Sequence, residues 1–255
     1  MRHPGRMGIF FVGAAAVAAL YALSAMRLPG PEDLRGQYMR IINSECVTAR
    51  HVTDAVTAVN FDYRGFDTLG EEFILFVSVM GALVLLRQTD VKPGMPAPDA
   101  LSPGRAVGAS DALRVWILGM TGPTVLFGIY TVIHGQLTPG GGFQGGVILA
   151  TAPLLMYLAE SFDIFRRITS HRLVETAEAI GAGAYGVIGL LAIFKGREFM
   201  TNVFPLGKGG SDVNLFSGGT IPVINLAVGI EVTAGFVLLL YAFLQEMLER
   251  KEAAP

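Results

Sequence analysis

The chain has 255 residues, of which 52% are hydrophobic and only 16% charged. Soluble domains carry about 25% charged residues, and the apolar residues here come in unbroken runs, which excludes an ordinary soluble domain. A net charge of −2 excludes nucleic-acid binding by bulk electrostatics, and Cys46, the one cysteine, excludes an intrachain disulfide and a thiolate metal cluster.

Residues 8–26 form the first apolar run, with Arg2 and Arg6 ahead of it. The run is long enough to span; a cleaved signal peptide ending near Ala22-Leu23-Ser24 is the alternative reading. Residues 27–68 are more polar. Within them Val52, Val56 and Val59 fall at i, i+4 and i+7, opposite Arg50, Asp54 and Thr57. That pattern predicts one short amphipathic helix, too short to cross a bilayer and lying at the membrane surface or on the protein's own loops. Asp67 or Thr68 then caps a second span, with Glu71 and Glu72 in its first turn, where the helix dipole favours anions. This span runs to Arg87.

Residues 88–111 contain Pro93, Pro96, Pro98 and Pro103 among small residues, which reads as a linker. Four further spans follow, at 113–134, 142–159, 174–194 and 220–244. Between the first two lies His134-Gly-Gln-Leu-Thr-Pro139-Gly140-Gly141-Gly142-Phe143-Gln-Gly-Gly146. No Lys-Ser or Lys-Thr follows the glycines and no strand precedes them, so a phosphate loop is rejected. The stretch reads as a tight turn, and Gly142, Gly146 and Ala150, four apart, form a small-residue stripe that lets another helix approach. The segment 195–219 reads as irregular. The expected class is therefore all-α: a polytopic membrane protein with about six transmembrane helices and one short amphipathic helix.

Of nineteen Lys and Arg, eleven lie on the side of an inside N-terminus and eight on the other. This weak bias puts both termini inside and the glycine turn outside. The four lysines all lie in loops or the tail. The four histidines fall at positions 3, 51, 134 and 171, with no pair at metal-ligand spacing, so neither a metal site nor a cofactor is expected.

Two stretches resemble a known family. The motif of His134, Pro139, Gly140, Gly141, Gly142, Phe143 and Gly146 resembles the MnhB or MrpB subunit of the multisubunit Mrp-type Na+/H+ antiporters. Phe-Asp-Tyr-Arg-Gly-Phe-Asp-Thr-Leu-Gly-Glu, residues 61–71, resembles a segment near the C-terminus of the large MrpA subunit, and the corresponding small MbhE-type subunit of membrane-bound hydrogenases. The resemblance implies three parts: an MbhE-like segment at 1–90, a Pro/Gly linker at 91–111 and an MnhB-like four-span domain at 112–248. It implies an accessory subunit of a Na+/proton antiporter complex in the cell inner (plasma) membrane, not itself an enzyme, with other subunits, the lipid bilayer, Na+ and H+ as partners. The alternative it leaves is the equivalent subunit of an energy-converting hydrogenase or related redox-driven pump.

Glu231, in the middle of the last span, is the foremost site candidate. A charged group there costs about 2.5–3.5 kcal/mol on insertion scales, so it faces protein or water. Ala227 and Gly235, four residues either side, put it on a small-residue face. Its readings are a proton or cation relay, or a polar tie to a neighbouring helix. His134 is a candidate proton carrier or a partner for carbonyls at a helix end. Asp67, Glu71 and Glu72 are candidates for gathering cations at the mouth of the second span, or serve the helix dipole. Pro139 and Phe143 set the shape of the turn. A stand-alone intramembrane enzyme lacks a Ser/His pair, paired aspartates within spans or a His-Glu-x-x-His motif.

Overall fold

A computed structural model of the chain describes residues 4–27, 36–86, 110–160, 162–207 and 213–252. Among these it is helical throughout: α1 (Pro4–Met26), α2 (Gln37–Thr48), α3 (Ala55–Ala58), α4 (Gly65–Leu86), α5 (Asp111–Ile133), α6 (Gly142–Ala159), α7 (Phe162–Ile168), α8 (His171–Phe194) and α9 (Ile221–Glu252). A turn of π-helix, Val59–Tyr63, joins α3 to α4. Five helices among the described residues are long and apolar enough to cross a membrane: α4, α5, α6, α8 and the Ile221–Met247 part of α9. The first apolar run forms α1, whose described apolar part, Phe11–Met26, is shorter than these five. The linker at 91–111 falls outside the described residues except for its last two, Ser110 and Asp111, which start α5.

Residues 1–43 form one unit and 44–255 another, with α2 running across the division. In the larger unit α9 is the axis: it is the most buried of the spans and packs against α4, α5, α6 and α8. The reason is residue size. Gly142 and Gly146 of α6 lie against α9 so closely that a Cβ on Gly146 would stand 2.8 Å from Val232 Cβ and 3.0 Å from Gly229 O. A Cβ on Gly142 would run into Asn225 O. The stripe read from sequence therefore serves a helix of the same chain. Gly145, on the flank of that stripe, lets α5 approach, where its Cβ would be 2.8 Å from Gly128 O.

Two apolar cores follow. One gathers Val52, Phe61, Leu69, Tyr185, Met200, Ile224, Val228 and Val232; the other gathers Phe162, Phe165, Val237 and Leu244. The helix α7 beneath the second core was not expected from sequence.

The region before α4 corrects one expectation. Val52, Val56 and Val59 do not share a helical face: Val52 lies in the break between α2 and α3 and is fully buried, while Val56 is exposed. The break exists because the backbone is diverted to the glycine turn. Thr53 and Asp54 N–H groups both donate to Gln136 O, Thr53 Oγ1 to Leu137 O at 2.6 Å, and Thr57 Oγ1 to Gly135 O at 2.7 Å. His51 adopts a left-handed φ of 56° to make the bend. Asp54 rather than a residue of the valine stripe caps α3, accepting from Val56 N.

α4 also begins earlier than expected, at Gly65. Asp67, not Glu71 or Glu72, is its first-turn acid, and Arg64 pairs with it, Nε donating to Oδ2 at 2.6 Å.

A buried glutamate cluster as the candidate functional site

The early start of α4 carries Glu72 into the span, where only 4% of it is exposed. The same happens on α8. That helix starts at His171, so Glu178 sits in its third turn and is 2% exposed. Glu231 of α9 is 1% exposed. These three carboxylates, one from each of three packed helices, are charged neighbours of one another around Glu231.

Small residues bring them together. A Cβ on Gly181, one turn beyond Glu178, would stand 2.6 Å from Glu231 N and 2.8 Å from Ala227 O. A Cβ on Gly235, one turn beyond Glu231, would stand 3.2 Å from Glu178 Oε1 and 3.3 Å from Val79 Cγ2 of α4. The small face formed by Ala227 and Gly235 thus receives α8 and α4.

The carboxylates are unpaired. Glu72 Oε2, Glu178 Oε1 and both oxygens of Glu231 are buried without a hydrogen-bond partner, and among the described residues none of the three forms an ion pair. Tyr185, two turns beyond Glu178 on α8, extends the polar row: its hydroxyl donates to Gly65 O at 3.0 Å and neighbours Thr68 and Glu72. Phe61 closes over it edge-on, with ring centroids 6.1 Å apart.

A polar cavity of about 960 Å³ lies at the start of α4, between residues 62–67 and 195–206, and Gly65 and Met200 are among its lining residues. The charged residues around it are already engaged. Arg50 pairs with Asp62 and sits 5.3 Å from the Tyr63 ring centroid. Burial pushes the Asp62 carboxyl above the usual carboxylate range despite the opposing pull of Arg50.

The remaining sequence candidates lie elsewhere. Glu71 is exposed, and Asp67 is held by Arg64 at the cavity rim. His134 ends α5; its ring stacks on Tyr130 with centroids 4.1 Å apart, and its Nδ1 is 3.2 Å from Tyr130 O. It closes a helix end, and its backbone oxygen accepts from Leu137 and Thr138 N–H. Gly140 and Gly141 take φ of 151° and 131°, values that only glycine adopts readily. Pro139 is exposed at the tip, and Phe143 meets Phe236 edge-on on an exposed face rather than filling a gap beside the glycines. Gly142 begins α6, its N–H donating 2.9 Å to the buried Asn225 Oδ1. Among the described residues no group of three His, Cys, Asp or Glu is arranged to hold a metal ion.

Sequence reasoning missed Glu178, Tyr185, Thr68 and Asn225. Glu178 had a signal: it precedes Gly181 by three residues, so the small face that admits α9 carries a carboxylate.

Residues 112–238 match the family described as a domain related to the MnhB subunit of Na+/H+ antiporters. The chain belongs to the MnhB-related family. An uncharacterized protein of Methanocaldococcus jannaschii is 32% identical over 249 residues, covering 89% of this chain and 86% of that protein. A probable K+/H+ antiporter A/B subunit of Rhizobium meliloti is 26% identical over 69% of this chain, which spans only 20% of that protein. A putative mnhB2 antiporter subunit of Staphylococcus haemolyticus is 33% identical over 75 residues, 52% of its length. Among solved structures, a chain of an archaeal respiratory complex, the membrane-bound sulfane sulfur reductase, matches with TM-score 0.69 and 29% identity, over 95% of this chain and 98% of that one. A chain of the Mrp complex from Dietzia sp. DQ12-45-1b matches the fold with TM-score 0.67 and 22% identity, over 95% of this MnhB-related chain and 26% of that one. Both structural neighbours belong to multisubunit membrane complexes.

Proposed function

We propose that this MnhB-related chain is an accessory subunit of a cation/proton antiporter module in the plasma membrane, and that Glu72, Glu178 and Glu231 lie on its ion path. The observation that carries the reading is the convergence of three unpaired carboxylates inside packed helices of a chain from an antiporter-subunit family. Burying negative charges together without a cation is costly, so the cluster needs protons or monovalent cations such as Na+ to neutralise it. A site that must take up a positive charge, and gains nothing by holding it permanently, suits a relay. Among the described residues no nucleophile–base pair stands beside this cluster, and the chain acts as a transport subunit, not as an enzyme. The parts at 1–90, 91–111 and 112–248 correspond to an MrpA-type tail, a linker and an MrpB-type domain; the match to a fused A/B subunit supports that order.

The test is flux. The intact complex, purified through a tag on this chain, is reconstituted into vesicles, and cation-dependent proton flux is measured for wild type and Glu231→Gln. Glutamine keeps shape and hydrogen-bonding capacity but cannot carry a titrating charge. Flux is expected to fall at least tenfold with the complex still assembled. Wild-type flux from a fully assembled Glu231→Gln complex removes Glu231 from the path and leaves a polar tie between helices.

A second reading, a subunit of a redox-driven ion pump, is favoured by one observation. The chain corresponds one-to-one in length with the sulfane sulfur reductase chain but to only a quarter of the Mrp chain. Co-purification of subunits carrying iron–sulfur or other redox centres decides for it.

A further inference from the structure

A groove of about 400 Å³ opens between α5, α6, α8 and α9, on the side of α9 away from α4. Its walls are apolar, with Ile133, Leu149, Ala177 and Val237 among them. Its lip is open: Ile129, Leu173 and Leu226 are 42%, 67% and 52% exposed. Along α9 the lining runs from Leu226 to Val237, about 16 Å at ~1.5 Å per residue. Volume over length gives a mean cross-section of about 25 Å². A helix ~10 Å across needs about 80 Å², so no partner helix enters this groove. Carbon atoms touch at ~4 Å, so one extended hydrocarbon chain, roughly 16–20 Å² in section, does.

One end of the groove is marked by Thr169 and Leu173, where α7 turns into α8. Arg167 closes α7 and Arg172 opens α8 at this corner, and both are exposed. The neighbouring acids Glu175 and Glu160 are paired with His171 and Arg114, at 3.2 and 2.7 Å. The hydrocarbon slot thus ends at positive charge.

We propose that this groove holds one acyl chain of an anionic phospholipid, with its phosphate against Arg167 and Arg172. Each basic residue near an anionic lipid surface is worth about a fivefold change in binding. The site is independent of the ion path.

The experiment uses the assembled complex in nanodiscs containing a phospholipid with a diazirine in mid-chain, carrying either a phosphatidylglycerol or a phosphatidylcholine headgroup. After irradiation, adducts are mapped by peptide mass spectrometry. Labelling is expected at Leu173, Ala177 or Ile230, severalfold stronger with phosphatidylglycerol. The surface variant Arg167→Gln/Arg172→Gln should cut that headgroup preference at least fivefold, and Ala177→Phe should suppress labelling at Ile230. Even labelling around the lipid-facing sides of the spans, or no headgroup preference, overturns the proposal in favour of ordinary bilayer solvation. So does an unlabelled groove from which benzoylphenylalanine at position 177 cross-links to another subunit.

Discussion

Gly181→Ala adds one methyl group where α8 meets α9. The new Cβ would stand 2.6 Å from Glu231 N, 2.7 Å from Glu231 Cβ and 2.8 Å from Ala227 O. Carbon needs ~3.5 Å or more, so the two helices must part by roughly 1 Å. Two of the three obstructing atoms are backbone and cannot rotate aside. Overpacking costs about 1–3 kcal/mol, and a rigid obstruction puts this case at about 2–3. Alanine returns about 0.8–1.0 kcal/mol over glycine inside a helix, leaving a net loss of about 1–2 kcal/mol. At about 2–4 °C per kcal/mol for a chain of this size, the melting midpoint should drop by a few degrees. Gly183 and Gly186 of the same helix supply the control. A Cβ at either meets nothing within 4 Å, so Gly183→Ala and Gly186→Ala should hold or raise the midpoint. The assay is thermal denaturation of the purified complex followed by size-exclusion chromatography. A Gly181→Ala midpoint equal to those of the two controls refutes the reasoning.

Asn225→Ala strands the buried Gly142 N–H at the start of α6; an orphaned buried donor costs about 1–3 kcal/mol, readable in the same melting assay. Asp62 gives a pH dependence. Its folded-state pKa is raised above the ordinary value, so the folded form binds more protons than the unfolded one in that window. Stability from this group is therefore full below about pH 4 and is lost as pH rises through the raised value. Asp62→Asn should flatten that part of the midpoint-versus-pH curve, and an unchanged curve counts against it. Orientation is checked with single cysteines at Thr138 and Glu198, Cys46 having been replaced, and an impermeant thiol reagent. Both should label from outside; labelling of both from the cytoplasmic side alone reverses the topology.

Much of the fold was legible because membrane spans announce themselves through length and hydrophobicity. The span at 142–159 agrees with α6 to the residue, and those at 113–134 and 220–244 correspond to α5 and α9 with shifted ends. The amphipathic helix went wrong at Val52 because a valine stripe reports spacing, whereas the chain there obeys carbonyls 84 residues away in the glycine turn. The helix starts at Gly65 and His171 mattered most for the site. A few residues' error in each start turns a buried carboxylate into a first-turn acid, and so Glu72 was read as a mouth residue and Glu178 as an end residue. Glu231 escaped this error because it lies far from either end of its helix. The direction of the 142/146 stripe was not legible: spacing identifies a face, and only the folded chain shows that α9 occupies it.

The proline-rich stretch divides the sequence, but the hydrogen bonds ignore the division. Thr53, Asp54 and Thr57 are bonded to the turn at 135–137, and Tyr185 to Gly65. The segment before the stretch is therefore a fitted part of the domain after it, as a key is of its lock. Encoded as two polypeptides, these parts would have to find each other and reseal those bonds in the bilayer for every copy of the complex. A single continuous chain fixes their stoichiometry at one to one and keeps each at high local concentration for the other from the moment of synthesis.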